Sequence, residues 1–285
     1  MKKIIENQSF DEERALYAVK EVTVRNCHFG GPVDGESSLK ETKDIEVLGC
    51  SFSQRYSFWH VSGFKIDNIT MDEATRAAMW YDDNGTISNS KLHGIKVIRE
   101  CHHIAMKDCD IDSEEFAWRS SGLTLENCNV HSVYPFLFSS DINIKNMKMT
   151  GKYSFQYTEN VVIDGAYIET KDCLWHSKDV TIKNATIKGE YLAWYSEGLT
   201  LINCKIIGTQ PLCYCKRLKL IDCELEECYL GFEYSDVEAD IKGHIDSVKN
   251  PLHGYVKADS IGEVIRTGAV YDCDAKVFLK DGTEP

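Results

Sequence analysis

A short pattern that returns about every nineteen residues constrains the fold of this chain more than any other feature. It reads apolar, any residue, apolar, any residue, Asn/Asp/Gly, small residue or Cys, any residue, apolar, as in Leu123–Val130. Its first residues are at positions 3, 22, 45, 64, 85, 104, 123, 142, 161, 180, 199 and 218, so the last seven spacings are all 19. A repeat of this length indicates a solenoid, in which each unit packs only on its neighbours.

Each copy of the pattern begins with a strand and then turns a corner. Apolar and polar residues alternate over the first four positions, which is strand period. The fifth position is always a residue that tolerates left-handed backbone angles, so it is the predicted corner: Asn7, Asn26, Gly49, Asn68, Asn89, Asp108, Asn127, Asn146, Gly165, Asn184, Asn203 and Asp222. The next position needs a small apolar side chain inside the tube, and it is Cys27, Cys50, Cys109, Cys128, Cys204 and Cys223 in six coils.

A further strand lies eleven to sixteen residues into each coil, for example Tyr56–Val61 and Tyr191–Ser196. The predicted fold is therefore all-β: a single-stranded right-handed parallel β-helix of about twelve coils, mostly of 19 residues, with three short strands per coil. A left-handed hexapeptide β-helix is the main rival, but its turn needs about eighteen residues in six-residue units. The spacing and the Asn corner both disfavour it.

We expect one β-helix domain over residues 1–285. Residues 1–236 form the regular coils, and residues 237–285 form irregular terminal coils and a C-terminal cap, because the open edge of the last coil needs a cover. Two insertions, Gly30–Gly35 and Asp72–Thr75, are predicted to leave the stack as loops.

Composition limits the partners. The net charge is −13 and no basic patch is present, so we expect neither nucleic acid nor an anionic membrane as a partner. No apolar run has the length of a signal peptide or a membrane span, which predicts a cytoplasmic protein. In that compartment the twelve cysteines are expected to be reduced thiols.

Four segments add a family resemblance: Glu13–Tyr17, Phe58–His60, Met79–Asp82 and Gln210–Cys215. With these segments the chain resembles an uncharacterised bacterial family, a domain of unknown function with a right-handed parallel β-helix fold. In general form the repeat is similar to the pectate-lyase-like superfamily. The resemblance covers nearly the whole chain and implies the fold and a bacterial cytoplasmic setting. The long loops, clustered aspartates and catalytic arginine of polysaccharide lyases and galacturonases have no counterpart here.

All five tryptophans occupy one repeat position in the third strand: Trp59, Trp80, Trp118, Trp175 and Trp194. In a regular strand, alternate residues face opposite sides. Two alternatives follow. If the indoles point inward, the exposed row contains His60, Tyr81, Glu100, Arg119, Tyr157, His176, Tyr195 and Tyr214. If they point outward, they form the exposed ladder themselves.

An aromatic face of this kind suits stacking on sugar rings, so we expect a protein that binds or processes a carbohydrate there. The candidate substrate-binding residues are Trp59, Trp80, Tyr81, Trp118, Tyr157, Trp175, Trp194, Tyr195 and Tyr214. The candidate catalytic residues, for an activity like that of a polysaccharide lyase or glycoside hydrolase, are Glu100, Arg119, His176 and His60. The alternative is a non-enzymatic scaffold whose aromatic face is a protein interface, including one between copies of this chain.

Specific pairs follow from the stacking of coils about 4.8 Å apart. Glu100 and Arg119 are expected to form an ion pair, and Glu115 and Lys96 a second one. Asp172 and His176 share one strand parity, which gives the hypothesis of a His–carboxylate dyad. The carboxylates of Glu100 and Glu115 should lie more than about 10 Å apart along the wall, too far for the usual glycosidase spacing unless the side chains converge.

Metal and cofactor motifs are not found in the sequence. Cys101–His103 and Cys213–Cys215 lack a second half at a zinc-site spacing, and alternation makes Cys213 and Cys215 core residues. Phosphate-binding and nucleophile-elbow motifs are missing too. We therefore expect no metal and no cofactor.

Overall fold

The computed structural model describes residues 2–31 and 35–285. These residues contain strands and turns but no helix, and so none that could cross a membrane. They form two compact units, one ending at Lys148 and one from Met149 to Pro285. In both units each strand pairs in parallel with the strand of the next coil, which confirms the predicted parallel β-helix.

In the first unit, the first strand of each coil begins within three residues of a predicted repeat start. Register pairs such as Lys3↔Val22 and Ile45↔Phe64 join the predicted first positions of successive coils. The 19-residue spacing of the sequence is therefore a real coil length, and the pair Thr23↔Glu46 shows the same for the 23-residue spacing. These strands are Lys3–Glu6, Val22–Arg25, Lys43–Leu48, Ser62–Asp67, Asp83–Ser88, His102–Lys107, Ser121–Glu126 and Ser140–Lys152.

The other two faces of the first unit carry shorter strands. The second-face strands are Ser9–Phe10, His28–Phe29, Ser51–Phe52, Thr70–Met71, Lys91–His93, Asp110–Asp112 and Asn129–Ser132. The third-face strands are only two residues long: Phe58–Trp59, Met79–Trp80, Ile98–Arg99, Glu115–Phe116 and Tyr134–Pro135.

In the second unit, the first and second strands of several coils merge, and the third face consists of turns. Its strands are Glu159–Lys171, Lys178–Lys188, Thr200–Ile202, Lys205–Ile207, Leu218–Glu226, Asp236–Lys242, His244–Lys249, His253–Ala258, Ser260–Ile265 and Lys276–Leu279. The last five lie within or next to the region predicted as irregular coils and cap, and they too pair in parallel.

The predicted corner is confirmed at every coil. All twelve fifth-position residues have φ between 49° and 72°, in the left-handed region. Asn side chains stack there and bond to each other, as between Asn146 Nδ2 and Asn127 Oδ1 at 3.2 Å. This ladder ties neighbouring coils together at the edge where the strand ends.

The core holds apolar side chains in layers that repeat from coil to coil. Phe10, Phe29 and Phe52 stack with ring centroids 5.0 and 4.8 Å apart. The six cysteines that follow the corners are all buried and unpaired as disulfides, in agreement with their predicted place inside the tube. Cys213 and Cys215 are buried as well.

The insertion at Asp72–Thr75 forms a turn at the surface. Asp72–Ala74 form an exposed turn in which the Asp72 carboxylate accepts a hydrogen bond from the Ala74 amide at 3.0 Å. In the other insertion, residues 32–34 lie outside the described residues.

The third segment does not alternate, and neither predicted orientation of the tryptophans is right. Leu192 and Ala193 are both buried, whereas Trp194 is half-buried and Tyr195 is exposed. The reason is the backbone: Tyr191, Ala193 and Tyr195 have φ near 60°, so the chain is a series of turns and not a pleated strand. Two successive residues therefore face the core and the next two face outward.

The same arrangement recurs wherever tryptophan occupies this position. The residues before the tryptophans are buried, and the residues after them are exposed: His60, Tyr81, Arg119, His176 and Tyr195.

Candidate functional site

The tryptophan row is an anchored layer between the core and the surface. The indole nitrogens of Trp118, Trp175 and Trp194 each donate to a backbone carbonyl sixteen residues further along, in the next coil. In the second unit these bonds are Trp175 to Tyr191 at 2.6 Å and Trp194 to Gln210 at 2.7 Å. These half-buried indoles therefore join successive coils, which is a structural role.

Trp59 and Trp80 differ from the other three. They stack on each other with ring centroids 5.8 Å apart, but their buried indole nitrogens have no hydrogen-bond partner among the described residues. Cations cover both ends of this pair: Lys40 Nζ lies 4.3 Å from the Trp59 ring centroid, and the Arg99 guanidinium lies 5.0 Å from that of Trp80. Cation–π attraction therefore stabilises this stack in place of the missing hydrogen bonds.

Arg99 is the centre of a charged cluster in the first unit. Its guanidinium lies between the rings of Trp80 and Trp118, at 5.0 and 5.3 Å from their centroids. It also contacts the carboxylates of Glu100 and Glu115, both at 3.4 Å. Two charges of each sign meet here once Lys96 is included, so the cluster is electrically balanced.

This cluster tests two of the predicted ion pairs and one predicted separation. The Lys96–Glu115 ion pair is confirmed at 3.6 Å. The Glu100–Arg119 ion pair is wrong, because Glu100 pairs with Arg99 of its own coil. The side chains of Glu100 and Glu115 converge, because one guanidinium contacts both carboxylates, so the condition attached to their expected separation is met.

Outside the tryptophan layer of the first unit, a row of side chains faces solvent. Its members, one per coil, are His60, Tyr81, Glu100, Arg119 and Phe138. The rings of His60 and Tyr81 are tilted by 47° at 5.1 Å, and the row then continues with charged residues. Arg119 lies 5.6 Å from the Phe138 ring centroid and makes no ion pair within 4 Å in residues 2–31 and 35–285. We call these five residues the mixed row.

The second unit carries a different row at the same repeat position. Tyr157, His176, Tyr195 and Tyr214 stack with centroids 4.9, 5.0 and 4.8 Å apart and with interplanar angles of 9°, 7° and 14°. Nearly parallel rings at this distance cover each other's faces, so mainly their edges meet solvent. We call these four residues the ring ladder.

The expected Asp172–His176 dyad is not formed. The ring of His176 lies between those of Tyr157 and Tyr195, and no hydrogen bond joins it to Asp172. Asp172 is buried, and desolvation raises the pKa of its carboxyl group. Of the four candidate catalytic residues, His60, Glu100 and Arg119 lie in the mixed row of the first unit and His176 lies in the second unit.

The side chains of the Cys101–His103 segment do not point to one site: Cys101 faces the core, and His102 and His103 face outward. Cys101 is buried, His102 Nδ1 bonds to Ser121 Oγ at 2.8 Å, and His103 Nδ1 bonds to Asp83 at 2.8 Å. No group of three metal-ligating side chains is found in the described part of the chain.

Two residues of this face were missed at the sequence level. Phe138 is 48% exposed and belongs to the mixed row, and subtracting one repeat from Tyr157 would have found it. Arg99 occupies the tryptophan position of its coil, nineteen residues before Trp118. Its pairing with two carboxylates depends on side-chain directions that spacing does not reveal.

The chain is similar to several solved structures at low sequence identity. The A-module of mannuronan C-5 epimerase AlgE6 of Azotobacter vinelandii is 14% identical, with 95% of this chain and 87% of that chain covered and a TM-score of 0.47. The A-module of AlgE4 of the same organism is 12% identical, with 95% and 88% covered and a TM-score of 0.41. PfbA, a surface adhesin of Streptococcus pneumoniae, is 8% identical, with 83% and 76% covered and a TM-score of 0.40.

Likenesses of this degree say nothing about activity, and no curated protein matches the chain. A family model does match, over residues 3–277, which is nearly the whole chain. The chain therefore belongs to DUF3737, a family of proteins of unknown function.

Proposed function

We propose that this protein binds a carbohydrate along the mixed row of its first unit. The observation that supports this proposal is the state of Arg119. Its guanidinium is exposed and makes no ion pair among the described residues. In the row it lies between Glu100, one coil before it, and Phe138, one coil after it. In a chain of net charge −13, a cation left without a carboxylate partner is available to an external anion.

The composition of the row indicates an acidic sugar. Arginine binds carboxylates through two parallel N–H donors, so Arg119 would hold the carboxylate of a uronic acid. The ring of Tyr81, 43% exposed, offers apolar surface to the C–H face of a sugar ring, and Phe138 contacts the Arg119 guanidinium through a cation–π interaction. His60 and Glu100 add hydrogen-bonding groups for hydroxyls. Coils about 4.8 Å apart would place successive side chains along an extended glycan.

The proposal is a binding function and not a cleavage reaction. Glu100, the acid of this row, and Glu115 are both engaged by Arg99, and Glu115 also by Lys96. Carboxylates held in ion pairs of this kind are usually structural.

A direct test is a binding titration of the intact protein with uronic-acid oligosaccharides and with neutral oligosaccharides of the same length. We expect saturable binding of the acidic series, with at least about a tenfold loss of affinity in Arg119→Ala, about 1.4 kcal/mol, and a smaller loss in Tyr81→Ala. Arg25→Ala, which removes an exposed arginine of the first face, is the matched control and should bind as the unaltered protein does.

Two results would refute the proposal. One is the absence of binding to every oligosaccharide in both series. The other is binding that Arg119→Ala leaves unchanged, since the site would then lie elsewhere on the molecule.

A further inference from the structure

We infer that the ring ladder of the second unit is a self-association surface, and that its partner is the same surface of a second copy of this chain, in antiparallel orientation. This inference does not depend on the proposed carbohydrate site, because it uses residues of the other unit only. The evidence lies in the row of charges beside the ladder.

That charged row consists of Glu159, Lys178, Glu197 and Lys216. Each follows a ladder ring by two residues, and the residue between is buried, so both rows face outward. The backbone pairs Glu159↔Lys178, Lys178↔Glu197 and Glu197↔Lys216 place the four charges in register on consecutive coils. The sign therefore alternates from coil to coil along the surface.

Most of these charges have no ion-pair partner within their own chain. Glu197 contacts Arg217 at 3.4 Å. Glu159, Lys178 and Lys216 make no ion pair within 4 Å in the described ranges, residues 2–31 and 35–285. Three of the four charges can therefore pair with an outside partner without breaking a contact.

The order of the signs selects the partner and its orientation. A twofold axis that lies in the interface, perpendicular to the stacking direction, brings the row against itself in reverse order. Glu159 then faces Lys216 of the second copy, and Lys178 faces Glu197 of the second copy. All four contacts join opposite charges. If the two rows met in the same direction, like charges would face each other at every coil, which is unfavourable.

The ring ladder fits the same symmetry. Reversal places Tyr157 against Tyr214 and His176 against Tyr195 of the second copy. Since the rings cover each other's faces, they present phenol hydroxyls and imidazole edges, which can donate and accept hydrogen bonds across such a contact. A sugar ring would need an open ring face, and the inner rings of the ladder have none to offer.

The contact is small, because four coils span only about 15 Å. Interfaces of this size are weak or transient. We therefore expect a monomer–dimer equilibrium in the micromolar range, weakened by salt because the charges lie near the surface.

Sedimentation equilibrium over a range of protein concentrations tests the inference through charge reversal. In K178E the signs along the row become negative, negative, negative, positive, and in E197K they become negative, positive, positive, positive. Each variant should raise the dimer Kd at least about tenfold, which corresponds to about 1.4 kcal/mol. K183E, the same charge change on the first face of the same unit, is the matched control and should leave the Kd unchanged.

Two rescue experiments make the result specific. A mixture of K178E and E197K should form heterodimers with a Kd near that of the unaltered protein, because every facing pair is again of opposite charge. The double variant K178E/E197K should recover self-association for the same reason. Both rescues work only if the charged rows of the two copies pair in antiparallel orientation. A recovered dimer Kd also shows that the variant chains are folded.

The inference would be overturned by a protein that stays monomeric at every concentration, by single reversals that leave the Kd unchanged, or by a failure of both rescues in variants whose circular dichroism and melting curves match those of the unaltered protein.

Discussion

The guanidinium of Arg99 lies 3.4 Å from the carboxylate of Glu115, which belongs to the next coil. The same guanidinium contacts Glu100 and lies between two indole rings, so a single side chain pairs with two acids and fills a gap in the tryptophan layer. Side chains of this cluster are only about 20–28% exposed, which makes the ion pairs less screened than those at the surface.

Replacing this arginine should therefore destabilise the first unit. Arg99→Met leaves Glu100 without its partner and Glu115 with Lys96 alone, and we expect a loss of about 2 kcal/mol in the free energy of unfolding. Adding Glu100→Gln, which removes the carboxylate left without a partner, should recover part of it. Arg55→Met, which breaks a more exposed pair with Glu36 at 3.1 Å, is the control and should cost less than about 1 kcal/mol. Urea unfolding measures all four proteins, and equal losses in the two arginine variants would contradict the cluster's role.

The tryptophans should differ in what they contribute to stability, although they share one repeat position. Trp194→Phe removes an indole N–H and leaves the Gln210 carbonyl without that donor. Trp80→Phe removes a buried N–H that has no partner among the described residues. Because both lose similar apolar area, we expect Trp194→Phe to cost about 1 kcal/mol more. Thermal unfolding of the two variants checks this, and identical losses would mean that the indole bond contributes nothing.

The buried acid Asp82 should make stability depend on pH. Its side chain is fully buried, and one carboxylate oxygen accepts a bond from the Val61 amide at 2.8 Å while the other has no partner in the described residues. Desolvation raises the pKa of Asp82 well above that of the unfolded chain. The stability that the neutral acid contributes is thus fully present below the unfolded pKa, about 3.9, and is lost as the pH rises through the folded pKa.

A serine should relieve this penalty. In later coils the same position holds Ser120 and Ser139, whose hydroxyls accept the amide hydrogen bonds of Cys101 and Ser120. We expect Asp82→Ser to raise the free energy of unfolding at pH 8 by about 1–3 kcal/mol and to flatten the fall in stability between pH 5 and pH 8. Asp83→Ser, at the exposed neighbour, should retain the fall. A pH-independent effect of Asp82→Ser would contradict ionisation as the cause.

The thiols should be almost inert in the folded protein. Eleven of the twelve cysteines are buried, and burial raises the pKa of Cys50 to about 11 and that of Cys228 to about 12. Because the reagent must reach the sulfur atom, a chromogenic disulfide reagent at pH 8 should modify one thiol rapidly, that of the partly exposed Cys273. Cys273→Ser should abolish that fast phase, and denaturant should expose all the cysteines. Rapid reaction of several thiols in the folded protein would show that the coils open.

The corners and first-face strands could be predicted in detail from residue spacing. A residue that must adopt left-handed angles recurs in register with an alternating strand, and stacked coils can satisfy both only if every repeat starts at the same edge. For that reason the twelve corner residues, the buried cysteines that follow them, and pairs such as Ile45↔Phe64 could all be identified beforehand.

The third face shows what the sequence alone determined and what only the tertiary structure decided. The sequence determined that the tryptophans stack, because that follows from counting residues. It could not determine which way they point, because left-handed angles at residues such as Ala193 replace alternation with pairs of inward and outward side chains. Nor could it predict that Glu100 turns to Arg99 and not to Arg119, because long side chains choose partners by direction as well as by row. The register of the coils follows from residue types that recur at fixed positions in every repeat. The ion pairs and ring contacts of the surface depend on side chains that differ from coil to coil.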